Sequence, residues 1–214
     1  MCIRDRYDRV KDANVIINSR GHVKWSAAML RRLPHLELMA LCSIGTDCVD
    51  LNAARELGIT ICNVPGRTAP IVAEHAFALM FATSRRMAQA TAALKAGGWP
   101  GGLSTTLQGK TLGVIGTGNI GCELIALARS IGMHVIAWTF NPTREKADEY
   151  GFQYCEFNDL LKQSDVISVN VKLTDDSRGM IGTEQFAMMK PGACLLYTSP
   201  SPRDATLSRM PSSA

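Results

Sequence analysis

The sequence predicts an α/β protein made of two doubly wound parallel-sheet units. Three observations carry that reading. Short apolar, β-branched runs alternate with segments of helical spacing, and strand–helix alternation means βαβ crossovers and a parallel sheet. The alternation occurs twice, on either side of a long apolar helix and a glycine-rich break. The chain has 214 residues, 46% hydrophobic and 20% charged, enough for a real core and unlike disordered or collagen-like sequences.

The first unit is assigned to residues 7–70. Asn14 to Asn18 is a β-branched run and reads as a strand. Ser26 to Leu33 reads as a helix, with Ser26 as its N-cap and Pro34 ending it. Leu38 to Ser43 is the next strand. Leu51 to Leu57 has helical spacing, and Gly58 supplies the stop. Ile59 to Val64 is a strand that ends in the turn signal Pro65-Gly66. A single long helix follows, from about Pro70 to Lys95. It is apolar nearly all round and is expected to be buried on several sides, between domains or between subunits. Gly97-Gly98-Trp99-Pro100-Gly101-Gly102 breaks the chain and reads as a crossing point between domains. Residues 71–102 are therefore taken as interdomain helix and linker.

The second unit is assigned to residues 103–196. Strands are expected at Thr111–Ile115, Met133–Trp138, Val166–Val171 and from Ala193 to Leu196. Helices are expected at Asn119–Ile131, closed by Gly132, then at Thr143–Tyr150, Asn158–Lys162 and Thr183–Met189. Residues 197–214 are rich in Ser and Pro, have no apolar period and are expected to be disordered. They cut short a strand that has just begun, which leaves an open sheet edge. We expect this tail, and with it Met1 to Arg6, to be non-native sequence joined to a truncated gene.

Lys and Arg number 23 against 19 Asp and Glu, a net charge of +4. That balance is too mild and scattered for a nucleic-acid or polybasic membrane surface. No apolar stretch reaches the ~18 residues of a membrane span, and the N-terminus lacks a secretory apolar region. The seven cysteines, Cys2, Cys42, Cys48, Cys62, Cys122, Cys155 and Cys194, stand singly. They form no metal-ligand spacing, so no metal is expected. They are expected to be mostly buried free thiols, which places the protein in the reducing cytoplasm.

The chemistry lies in Gly116-Thr-Gly118-Asn-Ile-Gly121, which follows an apolar strand and opens a helix. Gly116 allows the tight turn, Gly118 lets the backbone approach a pyrophosphate, and Gly121 lets helix and strand pack closely. The helix N-terminus offers free N–H groups and the positive end of its dipole to phosphate. This is a dinucleotide-binding fingerprint. Its usual second part is a carboxylate ~20 residues on, for the ribose 2′-OH. Thr139 stands at that place, in Trp138-Thr139-Phe140-Asn141, and no carboxylate is near it in sequence. Arg144, a few residues further, could meet a 2′-phosphate; the bland alternative is a solvated helix residue. NAD and NADP both stay open, and the missing negative charge tips the balance slightly to NADP.

Gly45-Thr-Asp-Cys-Val-Asp-Leu51, Gly58-Ile-Thr-Ile-Cys-Asn-Val-Pro-Gly66, Val72-Ala-Glu-His-Ala76, Leu107 to Gly121 and Met188-Met-Lys-Pro-Gly-Ala193 occur in this order. Together they resemble the D-isomer-specific 2-hydroxyacid dehydrogenases, of the phosphoglycerate and glyoxylate/hydroxypyruvate reductase kind, over Asp12 to Leu196. The resemblance implies a partial flavodoxin-like substrate domain, a partial Rossmann domain, and a homodimer formed through the long helix. It implies an NAD(P)-dependent oxidoreductase acting on the CH–OH group of a small 2-hydroxy acid, or reducing the 2-keto acid. It further implies that the backbone amides of Ile44 and Gly45 hold the substrate carboxylate, with Ile44 also near the nicotinamide. Val72 would touch the cofactor, Asn119 and Ile120 the pyrophosphate, Thr139 the adenosine ribose, and Val171 and Lys172 the adenosine side. The proline that family members carry near Lys172 is missing.

Other departures bear on catalysis. Where the family's catalytic Arg follows a Leu-Leu-Asn-Thr-Ser strand, this chain reads Leu195-Leu-Tyr-Thr-Ser199 and then Pro200. The family's catalytic Glu and His come later and have no counterpart, and the substrate domain's first strand and helix are missing. Reducing a keto acid needs a proton donor and a cation at the carbonyl. None of His22, His35, His75 and His134 is a replacement, so no catalytic residue is assigned and the chain is read as an inactive fragment. The alternative is a non-enzymatic, dinucleotide-sensing regulator of corepressor type on the same fold.

Overall fold

The computed structural model describes residues 3–19 and 23–197. Cys2, His22 and the tail expected to be disordered beyond Tyr197 lie outside these residues. The chain divides into two compact units between Arg67 and Thr68.

The first unit runs α1 (Ile3–Val10), β1 (Val15–Ser19), α2 (Ala27–Leu30), β2 (Leu38–Cys42), α3 (Leu51–Glu56) and β3 (Thr60–Cys62). The three strands form a parallel sheet in the order β1-β2-β3, with Ile16 opposite Met39 and Met39 opposite Ile61. Asp50 caps α3 by accepting the Ala53 amide at 3.0 Å. Ser26 stands at the N-cap of α2 in extended conformation, but its hydroxyl makes no cap hydrogen bond, and the helix stops at Leu30 rather than Leu33. Helix α1 was not expected. It is held by Tyr7, whose hydroxyl donates to the Arg32 carbonyl at 3.1 Å while the Arg32 guanidinium lies 3.9 Å over the ring.

Ile16, Met39 and Leu41 pack under Trp25, Leu30, Leu33, Leu36, Val49, Ala53, Ala54 and Ile59. The opposite sheet face is bare within this unit, with Val15 54% and Ile17 71% exposed. A parallel sheet is covered on both faces only when helices lie on both, and the side chains packed on this core come from one side.

The second unit runs α4 (Ala69–Ser84), α5 (Met87–Lys95), β4 (Thr111–Ile115), α6 (Asn119–Ser130), β5 (His134–Trp138), α7 (Arg144–Tyr150), β6 (Gln153–Tyr154), α8 (Phe157–Gln163), β7 (Val166–Val169), α9 (Thr183–Met188) and β8 (Cys194–Tyr197). Its strands form a five-stranded parallel sheet, β6-β5-β4-β7-β8. On one face Leu112 and Val114 of β4 pack with Leu124, Ile125 and Ala128 of α6 and with Ala73, Ala76 and Met80 of α4. On the other, Ile115 and Ile167 meet Leu160, Leu161 and Ile181. Gly113 faces α8, where a Cβ would lie 2.7 Å from Leu160 Cδ2. Only a bare backbone lets that helix come so close.

The single helix expected over Pro70–Lys95 is two helices. Ser84 is the reason: its carbonyl, which a continuous helix would give to Ala88, accepts the Thr105 amide at 2.9 Å. Arg86 then turns left-handed (φ 53°) and starts α5. Helix α4 buries Ala73, Ala76 and Met80 against α6, while Ile71 is 65% exposed, and α5 buries no residue. Because α4 packs on α6 and β8, residues 97–102 lie within the second unit. The two-residue edge strand β6 was not expected, being too short to show a period. Among the described cysteines, all free, only Cys48 and Cys122 are buried, and Cys42 and Cys62 are exposed. They close strands whose last side chains face solvent. Among the described residues no helix is long and apolar enough to cross a membrane.

Candidate functional site

The glycine-rich turn joins β4 to α6 at the carboxyl edge of the second unit's sheet. There the Gly116 amide donates to the Trp138 carbonyl and the Asn170 amide to the Ile115 carbonyl, each at 2.7 Å. Strand β4 lies between β5 and β7, so the strand order reverses at this turn. Crevices at such reversals are where doubly wound sheets bind ligands.

Each glycine has its own surroundings. Gly116 has φ 101°, and a Cβ there would lie 2.9 Å from the Asn170 carbonyl carbon and the Val171 amide nitrogen. Gly121 faces the Gly116 carbonyl oxygen, into which a Cβ would run. Gly118 faces open space, with nothing within 4 Å of a Cβ position. The first hydrogen bond of α6 runs from the Cys122 amide to the Gly118 carbonyl at 3.0 Å. The amides of Asn119, Ile120 and Gly121 therefore have no acceptor in the helix, and among the described residues no side chain caps it. Asn119 is exposed and Ile120 half-buried.

Thr117 is buried, and its groups gather residues that the sequence did not single out. Its hydroxyl is 3.0 Å from the Tyr154 hydroxyl, which also accepts the Thr143 amide at 3.5 Å. Its carbonyl accepts from Lys146 Nζ at 3.0 Å and from the Cys122 thiol at 3.5 Å. Burial pushes the Cys122 thiol up, against the opposing pull of Lys146. Thr139 follows β5, half-buried, with its hydroxyl in no hydrogen bond among the described residues. Arg144 is not brought to this cluster: its side chain is 91% exposed and lies 3.6 Å from Asp148 on the same helix. No sequence signal separated Lys146 from Arg144; only the pitch of α7 does.

On the other side of the turn, Val171 lies against Gly116. Lys172 is exposed, and its carbonyl accepts the hydroxyl of buried Ser177 at 2.7 Å. Asn170 donates from Nδ2 to Ser168 Oγ at 3.1 Å, while its buried Oδ1 has no partner among the described residues. Val72 sits half-buried in the first turn of α4, its amide bonded to the Thr68 carbonyl at 3.0 Å.

In the first unit, the loop after β2 carries Ile44 and Gly45. Asn63 Nδ2 donates to the Ile44 carbonyl at 2.7 Å and Ser43 Oγ to the Gly45 carbonyl at 2.9 Å. The Ile44 and Gly45 amides make no hydrogen bond among the described residues. Asp47 lies beside Gly45 and is paired with Lys24 at 3.1 Å. His35, His75 and His134 are exposed. Among the described residues no cluster of His, Cys, Asp and Glu could hold a metal ion.

Residues 4–98 match the D-isomer specific 2-hydroxyacid dehydrogenase catalytic domain, and residues 77–202 match the NAD binding domain of the same family. The chain is 39% identical to the hydroxypyruvate reductase of Thermotoga maritima over 182 residues, which is 84% of this chain and 58% of that protein. It is 37% identical to the glyoxylate reductase of Thermococcus litoralis, over 80% of this chain and 54% of that protein. The solved D-lactate dehydrogenase of Aquifex aeolicus, complexed with NAD and lactic acid, superposes with a TM-score of 0.81 at 30% identity. That likeness covers 89% of this chain and 57% of the other. The chain thus spans between about a third and three fifths of the curated relatives it matches. With its turn at the strand reversal and both domains of the family matched, the chain belongs to the D-isomer-specific 2-hydroxyacid dehydrogenase family.

Proposed function

We propose that this chain is part of an NAD(P)-dependent oxidoreductase that interconverts a D-2-hydroxy acid and its 2-keto acid. The observation that carries the reading is the turn from β4 into α6, with three unspent amides and open space at Gly118. A pyrophosphate fits there, because it needs donors and a backbone with no side chain in the way. The unpartnered Asn170 Oδ1 is a buried acceptor of the kind a cofactor hydroxyl or amide would satisfy. When bound, the nicotinamide supplies the hydride acceptor or donor.

The chain's own residues take the other roles. Asn119, Ile120 and Gly121 donate to phosphate, Thr139 faces the adenosine ribose, and Val171 and Lys172 border the adenosine side. Val72 contributes a cofactor contact. In the first unit the free amides of Ile44 and Gly45 hold the substrate carboxylate, and Asn63 and Ser43 fix the loop that presents them. Exposed Met87, Leu94, Trp99 and Leu103 supply the apolar surface for a homodimer. The six cysteines among the described residues, all free thiols, suit a reducing cytoplasm. Among the described residues His35, His75 and His134 are exposed, and none is assigned as the proton donor to the alkoxide. The 214 residues therefore bind coenzyme without turning it over, and a longer protein containing them performs the reaction.

Titration of the folded chain with NADH and NADPH, followed by quenching of tryptophan fluorescence, tests the reading. Saturable binding of one coenzyme is expected, with no oxidation in the presence of glyoxylate or hydroxypyruvate. A folded chain that binds neither overturns the coenzyme assignment. Turnover by the 214 residues overturns the assignment of an inactive fragment.

A further inference from the structure

We propose that Lys146, with the hydroxyl of Thr139, selects the 2′-phosphorylated coenzyme, and that Arg144 does not. The inference rests on the dinucleotide reading above and deepens it.

In doubly wound folds the adenosine ribose lies between the first residues of the glycine turn and the end of the second strand, where a carboxylate receives the 2′-OH. Here that strand is β5, and Thr139 follows it with an unspent hydroxyl. A carboxylate would repel a 2′-phosphate, whereas a hydroxyl can donate to it. Helix pitch decides which cation of α7 reaches the glycine turn. Lys146 comes one place before α7 completes its first turn, and it reaches back to the carbonyl of Thr117, the residue after Gly116, at 3.0 Å. It makes no ion pair among the described residues. An ammonium has three protons, so two remain for a ligand. Arg144 points away, paired with Asp148 in solvent. The wall around Lys146 is fixed, because the Tyr154 hydroxyl ties Thr117 to the Thr143 amide that opens α7.

A phosphate monoester carries close to two negative charges near neutral pH. Charge-assisted hydrogen bonds to it, absent with a ribose hydroxyl, are worth roughly tenfold to a hundredfold in affinity. Binding constants would be measured for NADPH, NADH, adenosine 2′,5′-bisphosphate and adenosine 5′-diphosphate. The proteins are the unaltered chain, Lys146→Ala, Lys146→Arg and Arg144→Ala, each checked for an unchanged melting temperature. The unaltered chain should favour NADPH over NADH, and the 2′,5′-bisphosphate over the 5′-diphosphate. Lys146→Ala should weaken the 2′-phosphorylated pair about tenfold or more while leaving NADH and the 5′-diphosphate within about threefold. Lys146→Arg should restore most of the preference, and Arg144→Ala should leave it intact.

Equal weakening of all four ligands by Lys146→Ala would reduce Lys146 to a support for the turn and overturn the proposal. A preference for NADH in the unaltered chain, or one lost in Arg144→Ala instead, overturns it equally. Failure of every ligand to bind the folded chain is a separate result, because it removes the dinucleotide reading itself.

Discussion

Lys190 Nζ lies 3.2 Å from Asp165 Oδ1, while Asp165 Oδ2 accepts the Thr111 amide at 2.9 Å. One carboxylate thus joins the start of β4, the start of β7 and the turn before β8, at the opposite end of the sheet from the glycine turn. Burial disfavours its charged form. The hydrogen bonds from Thr111 and Lys190 and the charges of Lys190 and Lys110 outweigh that and hold the carboxyl below its ordinary value.

Asp165→Ala should therefore destabilise the second unit. It strands the Thr111 amide and removes the partner of a half-exposed ammonium. The loss should be about 1–3 kcal/mol, read as a lower urea midpoint. An unchanged midpoint would show that water replaces the carboxylate fully.

The same group sets a pH dependence. A carboxyl whose folded value is depressed stabilises the fold in full above the ordinary aspartate value of about 4. That contribution fades as pH falls through the lower folded value. The urea midpoint of the unaltered chain should exceed that of Asp165→Asn at neutral pH. The gap should narrow as pH drops below about 4. A gap constant through that range would mean the charge is not what matters.

Two glycines of the turn should fail in different ways. Gly121→Ala puts a Cβ into the Gly116 carbonyl oxygen, so α6 must shift, at a cost of about 1–3 kcal/mol in stability. Gly118→Ala meets nothing within 4 Å, so stability should stay within about 0.5 kcal/mol. Coenzyme affinity should fall in the Gly118 variant, because the new methyl takes the space of the ligand. Thermal melts paired with titrations separate the two cases; a Gly118→Ala protein that binds normally would move the phosphate elsewhere.

Ile17 and Ile16 stand on opposite faces of β1 and should behave as opposites. Ile17→Thr removes apolar surface that is 71% exposed; stability should change by less than about 0.5 kcal/mol and dye binding to exposed apolar surface should drop. Ile16→Ala opens a cavity in the first core and should lower stability by about 2–5 kcal/mol. Chemical denaturation with dye fluorescence reads both. Equal losses would mean that the bare face is covered in solution.

Much of the second unit could be read before any coordinates. β4, α6, β5 and β7 each have a strong apolar period, and Gly116, Gly118 and Gly121 mark the turn between the first two. What escaped the reading depends on contacts distant in sequence. The break at Arg86 follows from Thr105 taking the Ser84 carbonyl. The cluster of Lys146, Tyr154 and Thr143 forms only because α7 and β6 fold back beside Thr117. Helix α1 carries few apolar residues, and its hold on the first unit comes through Tyr7 and Arg32.

The sequence by itself determined the alternation of strands and helices, the parallel sheets and the place of the glycine turn. All of these follow from local periodicity and from the steric freedom of glycine. Only the tertiary structure decided which cation reaches that turn, where the long helix breaks and which face of each strand is covered. These depend on which backbone groups and side chains meet across tens of residues, and no local pattern encodes that meeting.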